Sequence, residues 1–116
     1  MRTLINLTPH DVTVVTGNTS VVFPKSGTIA RVSEEMVDSG LRISIEGGNE
    51  IPVYSMKYGN STDLPDPQEG VLYIVSTMLR LACPERYDLI SPCGLVRNEA
   101  GLVVGCMGFQ HQLAEV

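Results

Sequence analysis

The chain has 116 residues, 43% of them hydrophobic and 18% charged, with a formal net charge of −5. That length suits one domain spanning 1–116, and a chain of this size buries roughly two-thirds of its unfolded surface without staples. The eight Lys and Arg residues are scattered, which argues against duplex nucleic acid as a partner, and no apolar run reaches the roughly 20 residues that a membrane-spanning helix needs.

Cys83, Cys93 and Cys106 are odd in number and form no CxxC pair, and Met1–Pro9 is too short and too polar for a signal peptide. These features predict free thiols and a cytoplasmic, reducing setting. The first half of the chain reads as β structure: Leu4–Leu7, Asp11–Thr16, Ser20–Phe23 and Thr28–Ser33 are short strands divided by Thr8-Pro9-His10, Gly17-Asn18 and Pro24–Gly27. Ser33–Asp38 fits one helical turn, stopped by Ser39-Gly40. Leu41–Glu46 alternates, which predicts one buried face carrying Leu41, Ile43 and Ile45, and Gly47-Gly48-Asn49 turns it back onto Glu50–Met56.

Tyr58–Gly70 reads as the longest connection, stiffened by Pro65 and Pro67. Val71–Val75 is a continuous apolar run, the pattern of a strand buried on both faces. A helix over 76–84 follows directly, with Met78, Leu79, Leu81 and Ala82 assigned to the core and Thr77 and Arg80 to another side. Asp88–Ser91 is a short strand, then Leu95–Arg97 and Leu102–Met107 form a hairpin about 98–101, and Gln110–Val116 is a frayed tail. The expected fold is α+β: a mixed, mainly antiparallel sheet with short hairpins and one main helix in a βαβ-like C-terminal half.

If 71–75 and 88–91 run parallel, a ligand would sit beyond their carboxyl ends, at Ser76, Thr77 and Ser91. Ser76 would cap the helix, while Arg80 and Arg97 would offer guanidinium forks to a phosphate or carboxylate. Tyr58 and Tyr87 flank these elements and could stack on a ring. The competing structural reading makes Ser76 a cap alone and pairs the arginines with Glu85, Asp88 or Glu99. His10 beside Asp11 marks a bend where a ring and a carboxylate lie close in sequence, but neighbours on a strand point to opposite faces, which weakens an acid/base pair. No GxSxG elbow, phosphate loop or compact zinc spacing occurs. Cys93, Cys106, His10 and His111 are metal-type ligands without such spacing, and Asp63, Asp66 and Glu69 read as a rigid acidic loop. No catalytic residue, metal or cofactor is therefore expected.

Ile5-Asn-Leu-Thr-Pro-His10, Pro24-Lys-Ser-Gly-Thr-Ile-Ala-Arg-Val32, Leu64-Pro-Asp-Pro-Gln-Glu-Gly-Val-Leu-Tyr-Ile-Val-Ser76, Pro84–Leu89 and Leu95–Asn98 with Gly105-Cys106 resemble a family of small uncharacterised proteins of tailed phages and prophages. The likeness covers nearly the whole chain. It implies a phage origin and an accessory role in the host cytoplasm, and it brings no established activity. Its motif positions include Asn6, Thr8, His10, Ser76, Arg86, Asp88 and Arg97. Two functions remain open. One is a non-enzymatic binder of a small anionic, nucleotide-like ligand, as in sequestration of a host immune signal, with Ser76, Thr77, Arg80, Ser91, Arg97, Tyr58 and His10 as its ligand residues. The other is a protein-interaction module, either an inhibitor of a host enzyme or a minor structural component, that uses a sheet edge or the 58–70 loop. A homo-oligomer is expected in both cases.

Overall fold

A computed structural model describes residues 2–112. Eight strands and one helix follow in order: β1 (Thr3–Asn6), β2 (Val12–Thr16), β3 (Thr19–Phe23), β4 (Arg31–Ser44), β5 (Glu50–Thr62), β6 (Val71–Ile74), α1 (Thr77–Ala82), β7 (Leu89–Arg97) and β8 (Val103–His111). Six strands form one sheet in the order β1-β6-β7-β8-β2-β3, and β4 and β5 form a separate ribbon. The mainly antiparallel, strand-rich α+β character expected from the sequence is present.

The central strands are the apolar ones. β6 lies between β1 and β7, parallel to both, with Ile5 opposite Tyr73 and Tyr73 opposite Leu89. Alternation sends Val71, Tyr73 and Val75 to one side and Leu72 and Ile74 to the other. Tyr73, Val75, Leu79 and Leu89 join Leu7, Ala30 and Cys83 in the main core, while Ile74 is fully buried outside that cluster. Each large side chain so buried contributes about 1.5–3 kcal/mol. The edge strands β1 and β3 meet at one end, where Ser26 N donates to Asn6 O at 3.0 Å and Asn6 bridges Lys25.

Asn6 explains why the chain turns there. It is 2% exposed, and its Nδ2 donates at 2.9 Å to the carbonyls of both His10 and Phe23, while its Oδ1 accepts from Thr8 N at 2.9 Å. The Thr8 hydroxyl lies 2.7 Å from Asn6 Oδ1 and 2.9 Å from His10 O, and it can donate to one of them at a time. One buried amide thus ties the end of β1 to the start of β2 and the end of β3.

Several expectations are corrected. Ser33–Asp38 is extended, not helical, because Glu34–Asp38 pair with Tyr58–Tyr54 across the ribbon, and that pairing outweighs local preference. The expected fourth strand begins only at Arg31. The Gly47-Gly48 turn joins β4 to β5 with Ile43 opposite Ile51, both glycines taking positive φ. The arm is far longer than a short hairpin, and the face predicted to be buried is not: Leu41, Ile43 and Ile45 are 59%, 51% and 46% exposed. The long connection also shrinks, since Tyr58–Thr62 belong to β5. Its remainder is docked: Arg86 Nη2 donates to Pro65 O at 2.8 Å, Tyr73 Oη to Asp66 O at 3.3 Å, and Leu64 packs on the core. Of the tail predicted to fray, Gln110 and His111 lie in β8, and 113–116 lie outside the described residues.

Candidate functional site

The β6–β7 junction forms, but its polar groups are turned inward on one another. Ser76 has extended backbone and caps α1, accepting from Leu79 N at 3.2 Å. Arg80, expected on the side of the helix away from the core and open to a ligand, is instead 7% exposed. Its Nε donates to the buried Ser91 Oγ at 2.9 Å and its Nη1 to Gln112 Oε1 at 3.1 Å. Met78 and Leu81, assigned to the core by their spacing, are exposed instead. Gln112 closes the far end of the helix, where its Nε2 donates to the carbonyls of Arg80 and Cys83. Ser91, Arg80 and Gln112 therefore brace a six-residue helix against β7, and a cation in the last turn also suits the dipole.

The other candidate residues are not gathered here. Thr77 is exposed in the first turn of α1. Arg97 ends β7, and its Nη1 donates to Gly101 O at 2.8 Å across the β7–β8 turn. That turn is organised by Asn98 Oδ1, which accepts from Ala100 N and Leu102 N. Tyr58 sits on the ribbon opposite Glu34. His10 is exposed, and its backbone carbonyl rather than its ring makes its contacts. Arg86 binds Asp88 through paired 2.8 Å bonds from Nε and Nη2 while holding Pro65 O. That bidentate contact raises the guanidinium pKa further above its ordinary value.

Comparison of the chain with protein-family models, curated proteins and solved structures finds no match. Among the described residues there is no group of three or more His, Cys, Asp or Glu side chains placed to hold a metal ion, and no helix long and apolar enough to cross a membrane.

Two features that the sequence reading did not single out remain. The first is a cavity of about 360 Å³ lined by Arg2, Leu72, Tyr87, Ile90, His111 and Gln112. Its floor is apolar, and an aromatic ring, a guanidinium and an imidazole line it. Arg2 and His111 come from opposite ends of the chain, so no local motif marks the site.

The second is the β4–β5 arm. Opposed residues of an antiparallel pair share a face, so Met36, Met56, Tyr54 and Tyr58 line one face near the base. Farther out, Ile43, Ile51 and Val53 line the other. Between these patches β4 carries two extra residues across Asp38–Arg42, Gly40 has φ 82°, and Arg42 pairs with Asp38 at 2.9 Å. Met36 is 60% exposed, Ile43 51% and Ile51 45%. A two-stranded ribbon is marginal in water unless something covers it. One signal for the arm was available in the sequence: Gly47-Gly48 sits midway in a long β pattern with apolar residues at both odd and even positions.

Proposed function

We propose that this chain is a non-enzymatic protein-interaction module of phage or prophage type, acting in the host cytoplasm as a homo-oligomer, with the β4–β5 arm as its contact surface. The observation that carries this reading is the arm's two apolar patches, which no other element among the described residues covers. Exposed apolar surface of this extent marks sites where proteins meet. The resemblance to small phage proteins agrees with an accessory or minor structural role. Hydrogen exchange tests the reading. Amides of 34–58 should exchange quickly in dilute protein and become protected as its concentration rises; fast exchange at every concentration would refute it.

A second reading keeps the small anionic ligand but moves it. Beside the βαβ-like unit of β6, α1 and β7, the cavity of Arg2, Tyr87 and His111 combines a flat ring and an imidazole with one guanidinium over an apolar floor, a combination suited to a nucleotide-like anion. A thermal-shift panel of mono-, di- and cyclic nucleotides should then show stabilisation that grows with concentration and disappears in Arg2→Ala. A flat panel removes this reading and leaves the first intact.

A further inference from the structure

We infer that the arm is covered by the arm of a second copy lying antiparallel to it, so that the Met36/Met56 level of one arm meets the Ile43/Ile51 level of the other. The inference rests on the interaction reading above and adds the partner and its orientation. The chain exposes 8177 Å², whereas a compact monomer of its 12.6 kDa exposes about 6,200 Å². The radius of gyration is 18.0 Å against about 13 Å for a compact chain of this length. The surplus of about 2,000 Å² per copy exceeds the roughly 800 Å² per partner of an ordinary interface and falls in the range of obligate dimers. A second copy brings an arm of the same length with the same patches, so it can bury part of that surplus with no other partner.

Orientation follows from size and spacing. The molecule measures 39 × 34 Å across its shorter axes, while packed ribbons sit about 10 Å apart. Parallel arms at that spacing would force two bodies into one volume. Antiparallel arms place the bodies at opposite ends. On β5 the two patches centre on Met56 and Ile51, symmetric about the middle of the Val53–Tyr54 step. A two-fold axis there sets Met56 of one copy against Ile51 of its partner, and the reciprocal contact forms at the same time. The patches lie on alternate faces of the ribbon. Ribbon twist rotates the faces along its length, and the extra residues at 38–42 add to that rotation, so one neighbour can meet both. The charges nearby are mixed, with Glu34, Glu35 and Lys57 near the base patch and Arg42 and Glu50 near the outer one.

The test is a charge-pair exchange on the full chain, read by sedimentation equilibrium. Met56→Glu alone and Ile51→Lys alone should each weaken the wild-type dimer by about 100-fold, because each buries an unpaired charge twice per dimer. Both substitutions in one chain should restore it to within about tenfold of wild type, since each introduced carboxylate then faces an introduced ammonium. Within one chain the two positions are about 17 Å apart along β5, too far to pair with each other. The reversed exchange, Met56→Lys with Ile51→Glu, should behave alike, and the near-UV spectrum of the tyrosines checks that each body is folded. Weakened singles without rescue in the double would overturn the antiparallel arrangement while sparing the interaction reading. Singles that dimerise as tightly as wild type would exclude the arm as the self-contact. A wild-type chain that stays monomeric, with unprotected arm amides, would defeat both.

Discussion

Asn6 is the residue on which the closure of the sheet depends. Its buried amide satisfies the carbonyls of His10, in the loop before β2, and of Phe23, at the end of β3, and accepts the backbone N–H of Thr8. Asn6→Ala leaves those part-buried groups without the amide, at a cost of about 1–3 kcal/mol, read as a lower denaturant midpoint with unchanged slope. A loss under about 1 kcal/mol would mean that water replaces the amide. The same logic covers other polar positions: Thr8 completes the Asn6 knot, Ser76 caps α1, Arg86, paired with Asp88, holds the Pro65 loop, and Arg97 stitches a turn. These roles hold the fold together. Cys106 supplies a pH signature. Burial is the main cause that pushes its thiol above its ordinary value of 9.0, so the folded chain keeps the proton more tightly than the unfolded one. Its contribution is complete below the ordinary thiol range and declines as pH rises from there through the raised value. Stability should therefore fall more steeply above pH 9.0 in wild type than in Cys106→Ala, measured by melting at stepped pH; identical slopes would show that the thiol titrates freely.

At the scale of elements, α1 shows what spacing can and cannot reveal. The cap at Ser76 and the position of the helix were legible, because an apolar β run that ends in Ser followed by a helical pattern has few other readings. The inward turn of Arg80 was not legible. Its partners Ser91 and Gln112 are 11 and 32 residues away, and a periodicity that includes Met78, Leu79, Leu81 and Ala82 leaves the choice of buried face to tertiary packing. Arg80→Met, which keeps the stem and removes the donors, should cost roughly 2–4 kcal/mol, because the Ser91 hydroxyl and the Gln112 oxygen lose their partners inside the protein. Thermal melting with and without the nucleotide panel separates this from a ligand role: destabilisation equal in both conditions indicates a brace, and a selective loss of ligand response would restore Arg80 as a binding residue. The stretch 33–38 was misread for the same physical reason. A short Ser-Glu-Glu-Met segment suits a helix start locally, and only pairing with 54–58 makes it a strand.

At the scale of the whole molecule, the body and the arm are separable in energetic terms. The main core draws on residues such as Leu7, Tyr73, Leu79 and Leu89 and takes from the ribbon only Val32 near its base, while the patches beyond Glu35 and Lys57 stay exposed. The arm's order must then come from what covers it, and the body's from its own burial. Replacing 36–56 by Asn-Gly, a two-residue loop whose twist suits the flanking strands, keeps the pair Glu35 and Lys57 and removes the outer patch and all of the base patch but Tyr58. The trimmed chain should unfold in one cooperative step within about 1 kcal/mol of the wild-type body, scatter as a monomer with a radius of gyration of about 12–13 Å, and melt at a temperature independent of concentration, whereas the intact chain should melt higher as concentration rises. If the trimmed chain does not fold, the ribbon is part of the folding unit, and the exposed patches belong to a core that self-association completes.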